Sequence, residues 1–281
     1  MSSSLLLGWS KDTIYHALIR TMRLSPMSVK ILPVTPLNAE ELVAHRGYRA
    51  KYPENTALSI IKAIDAGALF VEIDVQFSQD KLPIIYHDTT LSRVSGFEKS
   101  VFECNRDELL GYPAYEPDRL GDTFIDEKIS PLEALVSILE ANPDVKAFVE
   151  LKDESIEHCG REFILDSVQN ILHPVADRAV IMSFDYSLAL GARKSGWPLV
   201  GLVLKQWDDL YLEEVRAAEP DFIYTDHLII PRECDLTTIE ALRDATLVAY
   251  EVGSQALGHS LLDRGVDMLE TFEIEALLAA D

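Results

Sequence analysis

The sequence predicts an α/β protein, a single closed (β/α)8 barrel with a small insertion after the second strand region. Three observations carry that expectation. Short apolar, β-branched runs recur along the chain, and helical patterns separate most of them. The alternation holds over about 240 residues, which suits one closed barrel better than two domains. A chain of 281 residues, 48% of them apolar, can bury a core of that size.

The strand runs fall at 42–46, 69–75 (LFVEIDV), 83–87 (PIIYH), 146–151 (KAFVEL), 179–183, 199–204, 221–225, 246–252 and 266–270. That makes nine, one more than the barrel needs. The surplus is 83–87, because the stretch from Gln76 to Pro83 is too short for a crossover helix, which takes about a dozen residues. It is expected as a return strand or extension beside the barrel mouth. Ser130-Pro131-Leu132-Glu133 reads as a capping box with proline at the first helical position, opening a helix to about Asn142. Other helices are expected to begin near Asn55, Asp185, Asp208 and Thr237. From Asp88 to Ile129 the periodicity fades into a charged, turn-rich insertion, long enough to cap a site rather than simply join elements.

Residues 1–40 are expected to form an N-terminal extension with a short amphipathic helix (Ser10, Asp12, Ile14, Leu18, Ile19). Residues 41–281 form the barrel, including the insertion at about 88–129. The opening MSSSLLLGWSKDTIYHALIR lacks a basic start and soon turns polar, so it reads as neither signal peptide nor membrane span. Cys104, Cys159 and Cys234 are far apart, which argues against a disulfide framework and a zinc site and suits the cytoplasm. With 25 basic against 47 acidic residues the formal charge is −22. Such a field repels nucleic acid and anionic bilayers while leaving room for a local basic pocket. No nucleic-acid partner and no stable membrane anchor are expected, and the sequence leaves a homodimer open.

In LFVEIDV, Glu72 and Asp74 leave one face of a strand while Val71, Ile73 and Val75 leave the other. Glu150 ends the run KAFVEL, with Lys152 on the same face. If the sheet closes as a barrel, strand ends meet at one mouth, and these three acids join His45 there. Three carboxylates within ~5 Å repel by roughly 3 kcal/mol per pair. One divalent cation would offset that, and an all-oxygen ligand set selects Mg2+, Ca2+ or Mn2+ over zinc or copper. A surface carboxylate is the plain alternative for each acid taken alone.

His87 closes PIIYHD and gives the mouth a second histidine. One imidazole can accept a proton from an attacking hydroxyl while the other donates to a leaving oxygen, a division that suits phosphodiester cleavage. Either alone would read as well as a hydrogen-bonded core residue. Arg46 and Lys152 offer fixed positive charge for a phosphate, or pair with the acids instead. Gly47 permits a tight backbone, and Asn55 in the PENT turn is expected to cap the next helix.

Together these residues resemble the glycerophosphodiester phosphodiesterases: His45-Arg46-Gly47, Pro53-Glu54-Asn55-Thr56, Glu72-x-Asp74, His87-Asp88 followed by Arg93, and Glu150-x-Lys152. The strong part covers about residues 41–152. The resemblance implies a TIM barrel with an insertion after the second histidine, and metal-dependent hydrolysis of glycerophosphodiesters to glycerol 3-phosphate and an alcohol. It implies His45 and His87 as the acid–base pair and Glu72, Asp74 and Glu150 as ligands of Mg2+ or Ca2+, with Mn2+ as a further candidate. Arg46, Lys152, Glu54 and Tyr250 would face the substrate and its phosphate. The chain departs from the family near its end, with Tyr250-Glu251-Val252-Gly253 for Trp-Thr-Val-Asn and Glu270-Thr271-Phe272-Glu273 for Thr-Asp-x-Pro. Glu251 and Glu270 either add negative charge at the mouth or are solvated strand ends. Two other functions stand beside hydrolysis: a lysophospholipase D or phospholipase-like enzyme, whose acyl chain would use Phe97, Phe102, Leu109, Leu110, Tyr112 and Tyr115, and a non-catalytic phosphate-binding barrel.

Overall fold

The structure is a computed structural model and describes residues 35–279; the helix expected near residues 10–19 lies outside them. Among the described residues ten strands form one sheet: β1 (Leu42–Ala44), β2 (Phe70–Phe77), β3 (Pro83–Ile85), β4 (Ser130–Pro131), β5 (Lys146–Leu151), β6 (Ala179–Met182), β7 (Gly201–Val203), β8 (Phe222–Asp226), β9 (Thr246–Tyr250) and β10 (Met268–Thr271). Eight are parallel and follow one another as β1, β2, β5, β6, β7, β8, β9, β10 and back to β1. The β6–β7 step rests on a parallel bridge between Ile181 and Val200. Ile181 N there donates to Leu199 O at 3.1 Å and Val203 N to Ser183 O at 3.1 Å. The circuit closes, and the fold is a TIM barrel.

Period-two alternation sorts each strand's side chains. Val71, Ile73 and Val75 of β2 join Val149 and Leu151 of β5 in the layer between strands and helices. The opposite faces send Val43, Phe148, Met182, Tyr224 and Met268 into the barrel interior. Helices cover the outside at Ala57–Asp65, Glu133–Ala141, Arg161–Leu172, Tyr186–Lys194 and Gln255–Leu262. The helix expected near Asp185 starts at Tyr186, and Asp185 caps it by accepting from Leu188 N.

The surplus run at 83–85 is the expected return strand. β3 pairs antiparallel to the end of β2 and carries β4 on its other edge. Three expectations fail locally. Ser130 does not cap a helix: its Oγ accepts from Ala57 N at 3.1 Å, Ser130 and Pro131 pair with β3, and the helix starts at Glu133 without a side-chain cap. Asn55 does not cap either; Thr56 does, accepting from Ser59 N at 3.0 Å, because the Asn55 amide is held by Asp74. Near Thr237 there are only two 3-10 turns, Leu236–Thr238 and Glu240–Leu242.

The insertion between β3 and β4 builds its own core from Leu91, Val94, Val101, Leu109 and Ile129, with Phe102, Leu110 and Tyr112 packed against it. Phe97 lies on Tyr112, ring centroids 4.9 Å apart. Hydrogen bonds fasten the insertion to the barrel mouth: Glu116 accepts from Glu54 N at 2.8 Å, and Arg119 donates to Tyr52 O at 2.8 Å.

Candidate active site

The strand ends open on a cavity of about 150 Å³ lined by His45, Arg46, Asp74, His87, Glu150 and Lys152. Phe184, Val203, Tyr224, Tyr250 and Glu251 complete its wall. His45 continues the β1–β10 ladder, its N donating to Thr271 O at 2.9 Å. Its ring stacks on Phe272 at 4.5 Å and 10°, which fixes the imidazole plane. Nε2 lies 3.8 Å from Glu72 Oε2, and Nδ1 lies 3.5 Å from both Glu270 Oε2 and Glu251 Oε1. Burial, then the neighbouring Arg46, hold the His45 pKa well below the usual imidazole range.

Arg46 adopts a left-handed backbone, φ 56°. That turn aims its N–H at Glu72 Oε2 (3.0 Å) while its carbonyl accepts from Ser59 Oγ (3.1 Å). Gly47 follows at φ 74°. A Cβ there would fall 2.5 Å from Ser59 Oγ and 2.6 Å from Ser59 C, so the strand-to-helix turn closes only with glycine.

Asp74 and Glu150 face each other across the β2–β5 pair. Lys152 Nζ sits 2.6 Å from Glu150 Oε1 and 3.2 Å from Asp74 Oδ1; Arg46 Nε is 3.1 Å from Asp74 Oδ2. Burial alone would push Asp74 up, but Lys152 and Arg46 outweigh it and hold the acid below its usual range. No cation among the described residues pairs with Glu72: burial, then Asp74, Glu270 and Glu150, push it well up against Arg46. Burial pushes Glu150 up as well, with Lys152 opposing.

Oxygens of Glu72, Asp74 and Glu150 lie within 4.8 Å of one another, as do ligand atoms of His45, Glu72 and Glu270. Glu72 Oε1 is buried without a hydrogen-bond partner among the described residues. A metal ion fits the first trio: it would partner that oxygen and offset the crowding that now favours protonation.

His87 Nδ1 is 2.6 Å from Asp88 Oδ1. Arg93 donates to both Asp88 oxygens at 2.8 Å. Despite burial, His87 and Arg93 hold Asp88 ionised, so Nδ1 is the donor and Nε2 is left for other work. Glu54 lies beneath the cavity, ringed by Arg46 (3.0 Å), Arg49 (2.6 Å) and Arg93 (2.6 Å). Burial opposes its ionisation, yet Arg93, Arg46 and Arg49 lower its pKa to about 2.

The structure therefore gathers every residue singled out in the sequence, but Glu54 supports Arg46 from behind rather than lining the cavity. Glu270, which the sequence left between mouth acid and solvated strand end, is buried beside His45; Glu251 reaches the same ring from the rim. Tyr224 was missed. Its hydroxyl is buried and unpartnered, and the inward set Phe222, Tyr224 of DFIYT was the available signal.

A model of the glycerophosphoryl diester phosphodiesterase family matches residues 45–269. The chain is 33% identical over 155 residues to uncharacterized protein YqiK of Bacillus subtilis, covering 54% of this chain and 62% of that one. It is 31% identical over 153 residues to human glycerophosphodiester phosphodiesterase 1, covering 52% of this chain and 46% of that one. The chain thus spans about half the length of these curated relatives. Its fold superposes with a TM-score of 0.73 on a phosphodiesterase of Oleispira antarctica solved in complex with the product sn-glycerol-3-phosphate, at 22% identity and covering 84% and 94% of the two chains. Among the described residues no helix is long and apolar enough to cross a membrane.

Proposed function

Since the chain belongs to the glycerophosphoryl diester phosphodiesterase family, we propose that it hydrolyses glycerophosphodiesters to glycerol 3-phosphate and an alcohol, with His45 and His87 as its acid–base pair. The observation that carries the reading is the shared cavity. Two histidines, two cationic side chains and a carboxylate cluster converge on about 150 Å³ at the strand ends.

His45, kept neutral by burial and Arg46, accepts the proton of the hydroxyl that attacks phosphorus, either water or the neighbouring glycerol hydroxyl, whose cyclic phosphate water then opens. His87, turned by Asp88 through Nδ1, uses Nε2 to return a proton to the leaving oxygen. Arg46 and Lys152 hold the phosphate oxygens, and Glu54 keeps the Arg46 guanidinium extended toward them. Tyr224 lines the cavity, and its buried hydroxyl, without a partner among the described residues, donates to the substrate. Glu72, Asp74 and Glu150 would hold one divalent cation, Mg2+ or Ca2+ with Mn2+ as a further candidate, which when bound would supply charge to polarise the phosphodiester.

Soluble diesters fit better than lysophospholipids, because Leu109, Phe102, Leu110 and Tyr112 are spent in the insertion's own core. Three free cysteines support a reducing compartment, the cytoplasm. The test is a coupled assay for glycerol 3-phosphate over several glycerophosphodiesters and lysophospholipids. Activity confined to lysophospholipids would replace this reading with the phospholipase-like one.

A further inference from the structure

Besides Glu251 at the rim, two buried acids around the cavity lack a cation. Glu54 has three arginines, Asp74 has Arg46 and Lys152, and Glu150 has Lys152. Among the described residues, Glu72 and Glu270 have only the His45 ring within ion-pair distance. All three are deeply buried, at 1%, 3% and 8% exposure for Glu72, Glu270 and His45. Each also carries a buried atom with no hydrogen-bond partner: Glu72 Oε1, Glu270 Oε1 and His45 Nδ1. Burying two carboxylates this way is costly unless something cationic reaches them. An ion held by Glu72, Asp74 and Glu150 would serve Glu72 but leave Glu270 unserved.

We propose that His45, Glu72 and Glu270 form a second divalent-cation position, sharing Glu72 with the Glu72–Asp74–Glu150 trio. The geometry is that of a ligand set, with one donor atom from each residue inside 4.8 Å, and Glu251 stands 3.5 Å from the same imidazole at the rim. One nitrogen and two carboxylate donors suit Mn2+ better than Ca2+. A carboxylate shared between two ions is the usual architecture of paired sites. A neutral imidazole has one free lone pair, so an ion on Nδ1 leaves Nε2 protonated, withdraws His45 as a proton acceptor and lowers turnover. That consequence, unlike binding, rests on the proposed acid–base role of His45.

Chelator-stripped protein titrated with Mn2+ tests both parts, with stoichiometry read by calorimetry and elemental analysis, and spin coupling by electron paramagnetic resonance. Wild type is expected to bind two Mn2+ per chain and to show a coupled spectrum. Glu270→Gln, nearly isosteric, should bind one, uncoupled, and that retained ion reports that it has folded. Turnover of wild type should rise and then fall with Mn2+, and the fall should vanish in Glu270→Gln. One Mn2+ per wild-type chain at every concentration, or two in Glu270→Gln, overturns the site. Two ions with undiminished turnover overturns His45 as a ligand. Two coupled ions with no phosphodiester turnover at any Mn2+ concentration supports the site and counts against the hydrolase reading instead.

Discussion

Asp74 and Glu150 are register partners across the parallel β2–β5 pair, and one ammonium, that of Lys152, spans them at 3.2 and 2.6 Å. Adjacent strand ends thus bring two acids to a common point, and the first residue after β5 brings the cation. Replacing Asp74 with Asn should weaken Mg2+ or Mn2+ binding by at least about 100-fold, measured by titration calorimetry. An unchanged dissociation constant would remove Asp74 from the ligand set.

Glu54 offers a test of the bed beneath the cavity. Removing this buried carboxylate leaves Arg46, Arg49 and Arg93 facing one another, so Glu54→Ala should cost about 3–5 kcal/mol in urea unfolding. The same substitution should lower catalysis through Arg46. A stable but inactive variant would make Glu54 a substrate contact after all.

The titration directions fix how stability follows pH without metal. Glu54 is lowered from 4.5 to about 2, so its contribution is present above 4.5 and is lost as pH falls through its folded value. Glu72, Glu150 and Glu270 are raised, chiefly by burial. They favour the folded state when protonated, and that benefit fades as pH rises through their folded values. Chelator-treated protein should therefore gain stability on mild acidification from neutral pH and lose it again below about 4.5. Saturating divalent cation should flatten the gain, as followed by thermal unfolding across pH.

Gly47→Ala meets two obstacles, a backbone at φ 74° and the Ser59 backbone carbon 2.6 Å from the new Cβ. A loss of at least about 2 kcal/mol is expected. By contrast, Tyr224→Phe deletes a buried hydroxyl with no partner. It should change stability by less than about 1 kcal/mol and lower kcat/KM by about tenfold if the hydroxyl meets the substrate.

What the sequence made legible was whatever periodicity or strand position decides. Alternation in LFVEIDV predicted the inward pair Glu72 and Asp74, and the short span after Val75 predicted the return strand β3. Local capping signals misled where long-range partners took the side chain: Ser130 Oγ serves Ala57 N, and Asn55 serves Asp74. Glu270 stayed ambiguous because its meaning depends on barrel closure. Only when β10 pairs with β1, Glu270 opposite Val43, does that acid come beside His45.

The most direct test of the central claim is release of glycerol 3-phosphate from a glycerophosphodiester by wild type, His45→Ala and His87→Ala, each with Mg2+ and with chelator. Full turnover is expected only in wild type with the cation, restored when Mg2+ is added back, with a fall of about 100-fold or more in either histidine variant. Release that persists in both His45→Ala and chelator-treated wild type would contradict it.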